Sequence, residues 1–238
     1  MVKLATQLNK VEVLRKEVIA NVSHELRSPL SLIRGYSEMI RDVTGDNSKL
    51  RNENLDLIIS ETQRLSTMVD DIMDYSKMQS GYYELKIASV NLVDLVKNTV
   101  EMEKINAAQY DQKLRFYSSS IQIIVDIDPI KISQVIQNLL SNAINHSENG
   151  REIDISINEK GDTVLVSVEN SGPEIPDEMK ELIWERYQQI QHQGDHKEGT
   201  GIGLAIVRTI LETHQMNFGI RSKNGINCFW FEVKKPIK

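Results

Sequence analysis

Apolar side chains in the first third of the chain recur at steps of three and four, with no strand-like alternation. Leu4, Leu8, Val11, Leu14, Val18 and Val22 form one helical stripe, which continues to about Arg41. Thr44-Gly45-Asp46-Asn47-Ser48, a cluster of turn formers, interrupts it. Leu55, Ile58, Thr62, Leu65, Val69 and Ile72 then make a second, heptad-like seam. Two long helices joined by a short loop form an antiparallel hairpin, which cannot bury both of its stripes by itself. Two copies pairing into a four-helix bundle would bury them, and packing on the rest of the chain is the alternative. The pattern therefore predicts a homodimer formed through the hairpin.

Near Gln79-Ser80-Gly81 the periodicity changes, so residues 1–80 are read as one domain and residues 81–238 as another, with a hinge between them. The second domain mixes strand and helix patterns. Strands are expected at 85–90 and at 121–127. A hairpin of strands at 152–158 and 163–169 turns at Lys160-Gly161-Asp162, and two further strands at 218–222 and 228–233 turn at Lys223-Asn224-Gly225. Helices are expected at 92–109, at 129–145 with Asp128 as N-cap and Pro129 at the first position, at 177–187 and at 203–214. Residues 188–198 are polar and aperiodic, a loop. Runs of strands with helices between them predict an α+β layer sandwich, its helices on one face of a mixed sheet.

Composition narrows the function classes. A formal net charge of -6, with no Lys/Arg-rich run, argues against a nucleic-acid partner. One cysteine, Cys228, cannot form an internal disulfide and points to a reducing, cytoplasmic setting. No stretch is apolar and long enough to span a bilayer. The stripe that reaches Leu4 suggests a helix already in progress, and upstream of it a signalling helix linked to a membrane sensor is expected.

Chemistry enters at Ser23-His24-Glu25-Leu26-Arg27-Ser28-Pro29-Leu30. Pro29 interrupts a helical pattern, removes the hydrogen bond to the Glu25 carbonyl and costs roughly 3 kcal/mol. A local rule broken at that cost marks a functional site. The neutral imidazole of His24 can attack phosphorus through one ring nitrogen. Glu25 is the nearest carboxylate to hold the other nitrogen and act as general base. Ser28, four residues on, shares the His24 face, and its hydroxyl would position a water for hydrolysis of a phosphoryl group on a docked partner.

This segment resembles the H-box of sensor histidine kinases, whose common form has Thr where this chain has Ser28. The resemblance implies a dimeric four-helix bundle carrying the phosphorylated histidine, followed by an ATP-binding domain of the Bergerat type. Three more segments match that family in order. Asn138-Leu139-Leu140-Ser141-Asn142-Ala143 resembles the N-box. Its two amides lie four apart on one helix face, and amide oxygens suit Mg²⁺, with Asn142 the metal ligand and Asn138 its support. Asn170-Ser171-Gly172-Pro173-Glu174-Ile175-Pro176 resembles the G1 box. Asn170 replaces an Asp that accepts from the adenine amino group, Glu174 replaces a Gly, and Gly172 would let the backbone approach the base. The stretch through Ile175 lines the nucleotide site by that resemblance. Gly199-Thr200-Gly201-Ile202-Gly203-Leu204 resembles the G2 box, whose backbone N–H groups and following helix would receive phosphate. No Lys-Ser/Thr follows it, which excludes a Walker A loop.

Trp184-Glu185-Arg186-Tyr187 resembles the F-box, and residues 188–198 lie where the family has its ATP lid. Asn145 stands where a basic residue is usual and His146 where Tyr or His is found. The lid is poor in arginine, so Arg186 and Lys197 are the candidates for phosphate contacts. The resemblance implies ATP–Mg²⁺ binding, autophosphorylation of His24 and transfer to an aspartate of a response-regulator receiver domain docked on the hairpin. Two rivals remain: a scaffold or phosphatase with a degenerate ATP site, and another ATPase of the same nucleotide-binding superfamily.

Overall fold

The computed structural model describes residues 26–79, 84–185 and 202–236. His24 and Glu25, the hinge at residues 80–81, and Arg186, Tyr187, Lys197, Gly199, Thr200 and Gly201 lie outside the described residues. Backbone proximity divides the chain into two compact units, Met1–Met73 and Asp74–Lys238.

The first unit is the helical hairpin. Helix α1 covers residues 26–39, passes through the buried Pro29, and widens into a π-helical turn over Ile40–Thr44. Helix α2 runs Ser48–Gln79. The Thr44 hydroxyl donates to the Met39 carbonyl, five residues back, at 3.2 Å. Asn54 of α2 donates its amide to the Thr44 oxygen at 3.0 Å, and both residues are buried. Asn47 caps α2 by accepting from the Lys49 and Leu50 N–H groups. Gly45 is required at the bend, because a Cβ there would stand 2.8 Å from the Ile40 carbonyl oxygen. Sequence periodicity gave no sign of the π turn, which comes from tertiary closure between Thr44 and Asn54.

The second unit is an α+β sandwich, as expected. In chain order it holds β1 (Ala88–Asn91), α3 (Leu92–Ala108), β2 (Lys113–Ser118), β3 (Ile124–Ile127), α4 (Pro129–His146), β4 (Glu152–Lys160), β5 (Thr163–Ser171), α5 (Gly203–Thr213), β6 (Phe218–Lys223) and β7 (Ile226–Lys234). The main sheet has the order β2-β4-β5-β7-β6. It is mixed: β2 runs parallel to β4, and the other neighbours are antiparallel. Strands β1 and β3 form a separate antiparallel pair. Register places Ile155 opposite Val168, Val166 opposite Phe231 and Val164 opposite Val233, so one sheet face is a continuous apolar surface. Helices α3, α4 and α5 cover it with Leu92, Val96, Ile136, Leu139, Ile206 and Ile210, all at most 1% exposed.

Three expectations need correction. The strand at Lys113–Ser118 was not foreseen; it is a short edge strand held by parallel pairing with β4, a long-range bond that local pattern does not reveal. The strand expected at 121–127 begins only at Ile124. Ile123 turns aside, giving its N–H to the Asn91 side chain and its carbonyl to Leu92, and leaves Ile121 94% exposed. Over its described part, residues 177–185, the helix expected at 177–187 is two 3-10 turns, Asp177–Met179 and Leu182–Trp184, the second of which buries Ile183 and Trp184.

Candidate nucleotide site

Helix α4 begins as its sequence dictates. Asp128 accepts from the Ile130 and Lys131 N–H groups, and Pro129 occupies the first position. The same carboxylate accepts from the Lys86 N–H at 2.9 Å, and the Asp128 N–H donates to His214 Nε2 at 3.2 Å. His214 Nδ1 lies 2.8 Å from the Ile210 carbonyl, so it carries the ring proton and the imidazole is neutral. Burial lowers the His214 pKa below 6.5. Burial pushes the Asp128 carboxyl up, but the Lys86, Lys131 and Ile130 N–H donors hold its pKa below 3.8. This cap joins the start of α4 to the end of α5.

Two turns along α4, Asn138 and Asn142 are half-buried. Asn138 donates its amide to the Gln134 carbonyl at 3.0 Å, which directs its oxygen outward. That oxygen would stand 2.9 Å from a Cβ at Gly203, the first residue of α5. The start of α5 therefore approaches Asn138 closely, and a side chain at Gly203 would force Asn138 or α5 to shift. Ile202 is buried beneath this contact, and Leu204 is half-buried in the first turn of α5.

The end of β5 arrives at the other end of α4. Asn170 is 3% exposed; it donates its amide to the Ser171 carbonyl, and its Oδ1 has no partner among the described residues. Gly172 packs so tightly that a Cβ would lie 3.1 Å from the His146 carbonyl oxygen and 3.1 Å from the Asn227 amide nitrogen. His146 itself is exposed. Asn170, Gly172 and His146 thus meet around the last turn of α4. Ile175 is fixed a little further on, its N–H donating to the Ser222 hydroxyl at 2.8 Å.

Sequence reasoning missed what holds this turn in place. Ser222 donates to Asn227 Oδ1 at 2.6 Å, the Asn227 amide donates to the Pro173 carbonyl at 3.1 Å, and the Gly172 N–H donates to the Gly225 carbonyl at 3.0 Å. The β6–β7 hairpin, turning at Asn224-Gly225 with both residues at positive φ, is therefore a strap over residues 172–175. The available signal was Asn227, a polar residue inside an apolar strand, which must find partners when buried. Trp184 is buried edge-on against Phe218 at 5.0 Å and Phe229 at 5.7 Å and anchors the segment before residues 186–201.

Ser28 is half-buried on α1, in the other unit. Among the described residues no cluster of His, Cys, Asp and Glu could hold a metal, so a cation at the nucleotide site would depend on amide oxygen and on the bound nucleotide. The donor set fits Mg²⁺, which takes oxygen ligands and retains waters. The buried, unpaired Asn170 Oδ1 fits an amino-group donor.

This is the fold of an ATPase domain of one particular type: residues 127–237 match the family of histidine kinase-, DNA gyrase B- and HSP90-like ATPases, and residues 14–81 match the His Kinase A (phospho-acceptor) domain. The chain is 32% identical over 215 residues to the sensor histidine kinase WalK of Bacillus subtilis, covering 88% of this chain and 34% of that one. It is 29% identical over 228 residues to the alginate biosynthesis sensor protein KinB of Pseudomonas aeruginosa, covering 94% of this chain and 38% of that one. The chain thus spans about a third of the length of these relatives. Among solved structures, histidine kinase ThkA in complex with response regulator protein TrrA superposes with a TM-score of 0.72 at 28% identity, covering 92% of this chain and 61% of that one. A match to the Mab-21 protein nucleotidyltransferase domain over residues 51–176 begins inside α2 and stops before α5, β6 and β7, so it corresponds to neither compact unit. The chain belongs to the sensor histidine kinases of two-component systems. No helix among the described residues is long and apolar enough to cross a membrane.

Proposed function

We propose that this chain binds ATP with Mg²⁺ between α4, the β5–turn segment and α5, phosphorylates itself on His24, and passes the phosphoryl group to an aspartate of a response-regulator receiver domain. The observation that carries the reading is the convergence of three separated segments. Gly203 meets Asn138, Gly172 meets the His146 carbonyl, and Asn170 presents a buried, unpaired acceptor at the end of β5.

Asn170 Oδ1 accepts from the adenine amino group, and Gly172 and Ile175 form the backbone wall beside the base. Asn142 would offer an oxygen to Mg²⁺, and the bound cation would supply positive charge to offset that of the phosphates. Backbone N–H groups of Gly199, Thr200, Gly201, Ile202, Gly203 and Leu204, with the α5 N-terminus behind them, receive the phosphates. Arg186, Tyr187 and Lys197 complete the site from the segment that closes over nucleotide. The catalytic unit swings about residues 79–81 to set the γ-phosphorus in line with His24. A neutral ring nitrogen of His24 bonds to phosphorus, the bond to the β,γ-bridging oxygen breaks, and ADP leaves with that electron pair. Glu25 accepts a hydrogen bond from the other ring N–H and stabilises the positive charge that develops there. Positioning and charge neutralisation carry most of the rate.

The half-exposed seam of the hairpin supports a homodimer, with the receiver domain docking on the same helices. Ser28 supplies the hydroxyl for a phosphatase reaction on that partner. A membrane sensor upstream of the stripe at Leu4 completes the proposal.

The test is incubation with radiolabelled ATP and Mg²⁺. Acid-labile, base-stable label that disappears in His24→Gln, and that moves to a receiver domain, is the expected result. Bound nucleotide with no label on His24 would instead identify a scaffold or phosphatase.

A further inference from the structure

The C-terminal end of α4 is closed by a residue that no motif contains. Helices leave their last carbonyls without intrahelical donors. Here the Ser147 N–H and hydroxyl both go to Ala143. The side-chain nitrogen of Gln112, from the loop between α3 and β2, donates to the carbonyls of Ile144 at 3.1 Å, Ser147 at 3.2 Å and Glu148 at 3.4 Å. Three carbonyl oxygens around one terminal atom fix its identity as nitrogen, because an oxygen there would face only acceptors. Gln112 is 4% exposed, and its Oε1 is buried with no partner among the described residues. An unpaired buried acceptor is unfavourable, and the donor end of the same side chain is what offsets it.

The loop that presents Gln112 is itself fixed. The Gln112 N–H donates to Ala107, the Lys113 N–H to Arg151, and the Gly150 N–H to Tyr110. Asp111 takes positive φ to make this path possible. Two loops are thereby joined around residues 144–148. The carbonyl of His146 lies within that stretch, and it is the atom against which Gly172 packs.

We infer that Gln112 is a positioning residue for the adenine end of the nucleotide site. It holds the last turn of α4 so that the His146 carbonyl seats Gly172 and keeps the Asn170 oxygen facing the base. The inference rests on the nucleotide reading above and deepens it. Gln112 acts through the last turn of α4 at the adenine end of the proposed site, so its effect is on nucleotide affinity and on discrimination of the base, not on phosphoryl transfer from a saturated site.

The experiment uses the whole chain with Gln112→Met, which keeps the volume and removes both donors. Folding is checked by circular dichroism, ADP and GDP binding by calorimetry, and autophosphorylation over a range of ATP concentrations. Loss of one net hydrogen-bonding group is expected to raise the KM for ATP and the Kd for ADP about five- to ten-fold while kcat stays within about two-fold, and to narrow the preference for ADP over GDP. Gln112→Asn keeps the donors on a shorter stem; it is expected to shift KM the same way by about two- to three-fold, and it carries the test if the methionine variant does not fold. Unchanged KM and Kd in a folded variant would overturn the inference alone, as would an equal loss in kcat with KM unaltered. An unsubstituted chain that binds no adenine nucleotide would overturn the nucleotide reading, and the inference with it.

Discussion

The hairpin and the α+β unit differ in how well each satisfies itself. In the hairpin, among the described side chains, only Pro29, Thr44, Asn54 and Met68 are buried. Val43 is 79% exposed, Ile59 62% and Leu30 55%, and the seam residues Leu55 and Val69 are exposed as well. The α+β unit closes a core of β-branched and aromatic side chains between sheet and helices, with most of them fully buried. An apolar surface of a few hundred Å² left open on a long helix pair marks an interaction surface. One unit thus closes its own core and carries the proposed nucleotide site, and the other leaves an apolar seam open for the proposed dimer. On the proposed function, nucleotide binding and partner contact are divided between these two regions.

The largest expected effect comes from breaking the hairpin seam. Leu65→Glu buries a charge in the proposed dimer interface and is expected to weaken association by at least about 100-fold, the cost of an unpaired charge in an apolar contact. Sedimentation velocity would show monomer. Nucleotide affinity measured on the same sample should be unaltered, and a parallel loss of ATP binding would end the distinction between the two regions.

Next in size is Gly203→Ala. Its Cβ would meet the Asn138 oxygen at 2.9 Å, so either α5 or Asn138 must shift. Overpacking of this kind costs about 1–3 kcal/mol, and it is expected to appear as weaker ATP binding with the dimer intact. Full ATP affinity in this variant would show that the contact does not shape the cleft.

A smaller effect tests the hairpin turn. Thr44→Val removes the acceptor for the buried Asn54 amide and is expected to destabilise the chain by about 1–3 kcal/mol, read from urea unfolding. The unfolding midpoint of the α+β unit should not follow it if the two units are independent.

Two pH-linked predictions concern only the α+β unit. His214 is buried neutral with its pKa below 6.5, so on acidification the unfolded chain takes up a proton before the folded one does. The stability associated with the neutral ring is complete above about pH 6.5 and declines as the pH drops beneath it toward the folded value. Asp128, with its folded pKa below 3.8, loses its contribution only below that value. Calorimetric Tm between pH 8 and pH 5 should therefore fall, and His214→Asn should flatten the slope; an unchanged slope would exclude His214 as the source. The least conspicuous effect is at Cys228, whose thiol burial pushes up to about 11. It should react with maleimide far more slowly in the folded chain than after unfolding, and equal rates would contradict its place in the sheet.

Local pattern carried much of this protein. Helical steps of three and four gave the hairpin, and Asp128-Pro129 marked the start of α4. The Asn-Gly turn gave the β6–β7 hairpin, because each of these signals acts within a few residues. The motif residues Asn138, Gly172 and Gly203 were also legible from sequence. What their glycines avoid was not: a side-chain oxygen 65 residues away in one case and the His146 carbonyl in the other.

Only the folded arrangement decided the rest. The edge strand β2 depends on parallel pairing with β4, the π turn on Asn54, and the G1 turn on Ser222 and Asn227. The closure of α4 by Gln112 belongs with them. In each case a polar group is satisfied by a partner on another element, ten residues away at the π turn and more than thirty in the others. Sequence can state that a buried donor or acceptor must be paired, but which distant group pairs with it is settled only when the elements pack.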